Sequence, residues 1–243
     1  MTVGLFIPCY VNQFYPQVGV ATLELLEKLG CEVVYPLRQT CCGQPMANSG
    51  YEHLSEGTDE LFLRNFSSFD YIVSPSGSCV LHIRHHLQAK ETDAVRKVRS
   101  SIYELTEFLT DVLDIESLSA KFPYRVGLHQ GCHGQRGLML AQLSELVAKP
   151  FSKSERLLKM VSGLELVDLD RKDECCGFGG TFCVMEEAVS AKMGKDRVQD
   201  HARNGAAFIT SADMSCLMHL DGILKRQRST IAVKHIAEIL NAG

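Results

Sequence analysis

One arrangement recurs so closely along this 243-residue chain that any fold must accommodate it twice. A lone cysteine follows a short apolar run, a Cys-Cys-Gly loop follows a second, and a last cysteine follows a third. In the first half these are Cys9 after Val3 to Ile7, Cys41-Cys42-Gly43 after Glu32 to Tyr35, and Cys79 after Asp70 to Val73. In the second half they are Cys132 after Arg125 to His129, Cys175-Cys176-Gly177 after Leu164 to Leu169, and Cys216 after Ala207 to Thr210. The match continues beyond the cysteines. Ser78-Cys79-Val80-Leu81-His82 lies over Ser215-Cys216-Leu217-Met218-His219, and Leu105, Glu107, Phe108 and Leu109 lie over Ile236, Glu238, Ile239 and Leu240. Self-similarity of this kind marks an internal duplication, and it divides the chain into residues 1–121 and 122–243.

Short apolar runs bounded by turn residues read as buried parallel strands. Between them the spacing turns helical: Gly19 to Leu29 carries Val20, Leu23, Leu25, Leu26 and Leu29, with Gly30 placed to end the helix. Further helices are expected from Tyr51 to about Phe66, after Cys79, and from Tyr103 to Leu113. The charged segment Lys90 to Arg99 reads as a solvated helix or linker, and the acidic stretch Glu104 to Asp114 as a helix with one wet face. Strands alternating with helices give a parallel sheet covered on both faces, because parallel neighbours need right-handed crossovers. The expected fold is therefore α/β, two pseudo-symmetric lobes of this type. Every cysteine station follows a strand, and open α/β sheets bind ligands at the carboxyl ends of their strands. Cys9, Cys41, Cys42 and Cys79 can meet at one point, and Cys132, Cys175, Cys176 and Cys216 at another.

Adjacent cysteines do not easily bridge one another, since their Cα atoms lie only ~3.8 Å apart. Two sulfurs side by side suit a soft metal instead, and the glycine beside them lets the backbone fold closely around it. The N-terminus has no cationic flank and no apolar run approaches ~20 residues. A cytoplasmic protein is expected, reaching a membrane only through a partner. In that compartment ten cysteines are not a disulfide framework. A net charge of −4 without a basic run argues against nucleic acid. Four converging thiolates fit an iron-sulfur cluster or structural zinc, with free redox thiols as a third reading. Zinc usually takes Cys-x-x-Cys knuckles, which this chain lacks. Gly177-Phe178-Gly179-Gly180 is too short for a dinucleotide fingerprint.

These residues carry a resemblance. The doubled order of a lone Cys, Cys-Cys-Gly and a final Cys resembles the cysteine-rich CCG domain found in heterodisulfide reductase and in the iron-sulfur subunits of glycolate and glycerol-3-phosphate oxidising systems. Cys175 to Phe182 and Ala212 to His219 are most similar to the lactate-utilisation type, two bare repeats without a ferredoxin module. The resemblance implies one or two oxygen-sensitive clusters, most simply 4Fe-4S, on Cys9, Cys41, Cys42, Cys79, Cys132, Cys175, Cys176 and Cys216. It implies an electron-transfer subunit of a system oxidising L-lactate to pyruvate, with other iron-sulfur subunits as partners. One departure stands out: the broader family often ends on Cys-x-x-Cys, and here Ser76 and Asp213 occupy the first of those positions. Asp213 is then expected as a carboxylate ligand to an open iron. A second reading makes the chain an enzyme itself, performing thiol, heterodisulfide or hydroxyacid redox chemistry on a substrate at that iron. A third makes it a zinc-bound scaffold.

Cys31 reads as a buried packing thiol and Cys183 as a neighbour of the second pair. His82 and His219 recur one helical turn after the last cysteine of each half. His129 and His133 flank Cys132, and Arg136 and Lys172 are placed to balance charge near the second quartet. His85-His86 reads as incidental on a surface helix.

Overall fold

The computed structural model describes residues 1–87 and 90–243, and its strands form two four-stranded parallel sheets. The first has the order β2-β1-β3-β4, from β1 (Thr2–Leu5), β2 (Glu32–Val34), β3 (Tyr71–Ser74) and β4 (Ile102–Glu104). The second repeats it as β6-β5-β7-β8, from β5 (Arg125–Leu128), β6 (Glu165–Leu166), β7 (Phe208–Ser211) and β8 (Ala232–His235). Registers correspond: Val3 lies opposite Tyr71, and Val126 opposite Phe208. Helices surround both sheets, giving the two similar α/β lobes expected from the repeat.

The helix Pro16–Lys28 buries Val18, Ala21, Thr22, Leu25 and Leu26, a single stripe at helical spacing, and Gly30 follows it at φ +84°. That stripe packs on the C-terminal helix Ile236–Leu240. Lys28 Nζ donates to Asn241 Oδ1 (2.8 Å), and Asn241 Nδ2 donates to Glu24 Oε2 (2.7 Å). One hydrophobic core consequently runs through both lobes, from Val3 and Leu26 to Val126, Leu217 and Ile236. No helix among the described residues is long and apolar enough to cross a membrane.

Three local expectations are corrected. β4 and β8 are strands that the apolar pattern did not separate from the helices after them, because each runs directly into a capped helix start. Glu104 accepts from Thr106 N (2.8 Å) while Glu107 Oε2 accepts from Glu104 N (3.3 Å); His235 Nδ1 accepts from Ala237 N (3.1 Å) while Glu238 Oε2 accepts from His235 N (3.0 Å). The aligned pair Glu107 and Glu238 are thus the reciprocal members of two capping boxes. The acidic stretch is not a helix with a wet face: residues 104–110 are all buried and exposure begins at Asp111. The Glu104 and Glu107 carboxylates are used internally, Glu107 as a partner of Arg84 (2.9 Å). Lastly, of the two readings of Lys90 to Arg99 the helix holds, as Asp93–Ser101 capped by Thr92, but it is amphipathic rather than solvated, burying Val95 and Val98.

Candidate metal centre

Each cysteine station is placed by a strand end and the turn that follows. Pro8 opens the helix Cys9–Phe14, so Cys9 is its first residue. Cys79 is the third residue of the helix Gly77–His86, whose start is capped by Ser76 Oγ accepting from Cys79 N (3.4 Å). Cys132 directly precedes the π-helical turn His133–Gly137, and Cys216 is the third residue of Met214–Arg226, capped by Asp213. In the two Cys-Cys-Gly loops the glycines stand at φ +91° (Gly43) and +87° (Gly177). That left-handed turn swings each glycine N–H back onto the first sulfur of its pair, Gly43 N to Cys41 Sγ (3.5 Å) and Gly177 N to Cys175 Sγ (3.4 Å).

The sulfurs meet. Cys9 Sγ lies 3.8 Å from Cys41 Sγ, and Cys42 Sγ lies 3.3 Å from Cys79 Sγ. In the second lobe the sulfurs neighbour one another in the same order, Cys175 between Cys132 and Cys176, and Cys176 beside Cys216. Receiving bonds from Cys42 and Cys9, the Cys41 sulfur is held down to about 2, as Cys175 is by Cys132 and Cys176. Their donors move the other way: Cys9 and Cys42 are pushed up by Cys41, Cys132 by Cys175 and Cys176 by Cys175. Crowded sulfurs that share protons in this manner are a donor set that a soft cation fits, since a bound cation takes the place of the protons. The residues present therefore fit a thiolate-bound metal or cluster. All ten cysteines are free of disulfides.

The expectation of two separate meeting points is refined by a feature no single repeat contains. All eight cysteines line one cleft of about 240 Å³ where the lobes face each other, with Tyr10, Phe178 and His133 also in its wall. Asp213 stands on this seam. Its Oδ2 accepts from Ser78 N of the other lobe (2.8 Å), its Oδ1 accepts from Ser215 N (3.3 Å) and Ser215 Oγ (2.7 Å), and it forms an antiparallel bridge with Ser76. The carboxylate lines the cavity and caps helix starts on both sides of it.

The remaining sequence-derived residues fall as follows. Cys31 is buried in the common core, and Cys183 Sγ donates to Gly180 O (3.0 Å) outside the cavity wall. His82 is buried with Nε2 unpartnered, while His219 Nε2 faces Ser190 O (3.4 Å). Arg136 pairs with Glu145 and Lys172 with Asp168, and neither lines the cavity. His85 is exposed on its helix. Sequence reasoning missed a buried polar group behind the second quartet: Arg197 Nη1 bonds Asp200 Oδ2 (3.1 Å) and Arg171 O, with His201 beside them, and the side chains of Arg197, Asp200 and His201 are fully buried. Charges spaced along Glu187–Arg203 look solvated; the one signal was Gly127, where a Cβ would come 2.1 Å from His201 Nδ1.

The two loop glycines make a paired prediction. A Cβ at Gly177 would lie 2.8 Å from Met193 Cβ and 2.9 Å from Ser190 O, whereas at Gly43 the nearest atoms are at 3.4 Å. Both substitutions incur left-handed strain of about 1–2 kcal/mol. Gly177→Ala adds overpacking of about 1–3 kcal/mol, so its denaturation midpoint should fall clearly below that of Gly43→Ala. Equal midpoints would contradict the described packing.

Comparison with known proteins gives a consistent picture. The model of the CCG cysteine-rich domain family matches residues 3–84 and again 126–221. Lactate utilization protein A of Bacillus subtilis is 40% identical over 247 residues, covering 100% of both chains. The protein of the same name from an Exiguobacterium strain is 41% identical over 248 residues, covering 99% of this chain and 97% of the other. Among solved structures, that of a hypothetical protein from Helicobacter pylori superposes with a TM-score of 0.59 at 13% identity, covering 98% of this chain and 48% of that one. That likeness concerns the fold.

Proposed function

The chain belongs to the CCG cysteine-rich domain family, in the group of lactate utilization A proteins, and from that premise we propose that it is an iron-sulfur electron-transfer subunit of a multi-component system oxidising L-lactate to pyruvate. The observation that carries the proposal is the gathering of eight sulfurs on one cavity at the carboxyl ends of two sheets. Each half, residues 1–121 and 122–243, would supply one quartet: Cys9, Cys41, Cys42 and Cys79, then Cys132, Cys175, Cys176 and Cys216. A cluster of the 4Fe-4S kind held there would supply one-electron acceptance and donation. The chain's own part is to hold and insulate. Gly43 N–H and Gly177 N–H donate to the Cys41 and Cys175 sulfurs and so stabilise their negative charge. Tyr10 and Phe178 meet edge to face at 6.1 Å across the lobes and keep water from the wall between the quartets.

An electron must also leave the molecule. Val184 lines the cavity yet is 78% exposed, and the adjacent Met185 is equally so. Apolar side chains left open at such a place suit the docking of a partner iron-sulfur subunit.

A second reading has its own observation. The cavity lies between the two quartets, with space for a small molecule to reach both, so the chain would itself be an oxidoreductase acting on a thiol, heterodisulfide or hydroxyacid.

Iron and acid-labile sulfide analysis, with a visible spectrum recorded without air, tests both. Each reading expects iron and sulfide together with a broad visible absorption; zinc alone would leave only a scaffold. Bleaching by lactate only after partner subunits are added supports the relay. Bleaching of the isolated chain supports the enzyme.

A further inference from the structure

We infer that the two quartets are unequal, and that in the second lobe His129 adds a nitrogen donor to the metal held by Cys176 and Cys216. The inference rests on the iron-sulfur reading above and deepens it. Phe6 and His129 are equivalent positions, each three residues before its lone cysteine. Phe6 N donates to Val73 O (2.9 Å), and His129 N donates to Thr210 O (2.8 Å), so the backbones coincide. The side chains do not. Phe6 closes an apolar cluster with Cys42 and Cys79, its ring edge-on to Phe62 (5.0 Å) and Phe66 (5.7 Å). His129 is 1% exposed, and neither of its ring nitrogens has a hydrogen-bond partner.

A buried imidazole with both nitrogens unsatisfied is unfavourable, because water has been given up and nothing has replaced it. A ring nitrogen of His129 and the sulfurs of Cys176 and Cys216 all lie within 4.8 Å of one another, the reach of a shared metal. A metal would satisfy one of the two orphaned nitrogens. The surroundings agree: where the helix leading into β3 brings Phe62 and Phe66, the helix leading into β7 brings Arg197 and His201. The permanent Arg197 charge acts on both His129 and Cys176, and a buried cation there offsets thiolate charge that the first lobe leaves in an apolar setting. Net charge helps set a cluster's potential, and the Arg197 cation beside the second site favours its reduced, more negative form. The second site is then the better electron acceptor, and transfer within the chain runs from the first lobe to the second.

Pulsed EPR on the full chain, reconstituted with iron and sulfide without air and then reduced, tests the assignment. Expected is a directly coordinated nitrogen coupling that changes on 15N-histidine labelling, an arm that needs no variant. It should vanish in His129→Phe, which copies the first lobe, and in Cys176→Ala, and persist in Cys42→Ala. Full iron in the unaltered chain without such a coupling, or a coupling that survives His129→Phe, overturns this inference while leaving the iron-sulfur reading intact. An unaltered chain that takes up no iron overturns both.

Discussion

Cys42→Ala and Cys176→Ala, each reconstituted without air, are expected to lose the iron of one site and keep that of the other, and the doubly substituted chain to bind almost none. These two sulfurs are the inner members of their quartets. Cys42 contacts Cys41 and Cys79, and Cys176 contacts Cys175 and Cys216; both residues are 2% exposed. Removing either opens the donor set in its middle and leaves a buried space where a sulfur stood. Loss of a single partner beyond the ligands commonly weakens a metal site by about 10–100-fold, and loss of a ligand itself should exceed that. The measurement is iron per chain alongside labile sulfide. Full iron retention by either variant would show that the sulfur concerned is not a ligand.

Acid should unfold the metal-free chain abruptly. Burial holds His129 down to about 3, His201 to about 2, and His82 and His235 to about 4, against an ordinary 6.5. A histidine whose pKa is lowered by folding contributes stability that is complete above pH 6.5 and is lost as pH falls, because only the unfolded chain takes up the proton. Glu104 opposes this. Burial raises it from 4.5 to about 8, so its contribution declines as pH rises through that interval. These four against Glu104 leave a net of three, or about 4 kcal/mol lost per pH unit between 6.5 and 4.5, and the Cys41 and Cys175 sulfurs, held down to about 2, push in the same direction. That is comparable with the whole stability of a domain, about 5–15 kcal/mol. Urea midpoints at pH 7.5, 6 and 5 should fall steeply, and His129→Phe should flatten the slope by about one group's share, ~1.4 kcal/mol per unit. Midpoints that hold constant across this range would mean that these imidazoles are not buried in neutral form.

What could be read from the sequence was whatever the repeat carries locally. The eight cysteines, the strand before each station and the glycines after the pairs all depend on short stretches of chain, and duplication displays each of them twice. β4 and β8 escaped because three or four residues leading straight into a capping box give no pattern of their own. The common cavity escaped for a different reason. How two lobes face each other is set by dispersed contacts, such as Leu26 within the core shared with Ile236 and Asp213 with Ser78, and none has a signature in either half alone. Arg197 and His201 were hidden by composition, since charged residues on a long helix are normally wet. His129 was visible only as a neighbour of Cys132; its place beside Cys176 and Cys216 arises when three strand ends are brought together.

Ser76 and Asp213 occupy the same position of the two repeats, and they face each other. In an assembly of two identical half-chains, the residue on the symmetry axis would meet its own copy, so two aspartates would repel and two serines would bring no charge. Covalent fusion lifts that constraint. A single carboxylate can then accept from Ser78 N and from its counterpart Ser215 N at once, which ties the helices bearing Cys79 and Cys216 to one shared anchor. A change at Asp213 is accordingly felt in both halves together, whereas a change at Ser76 reaches only its own.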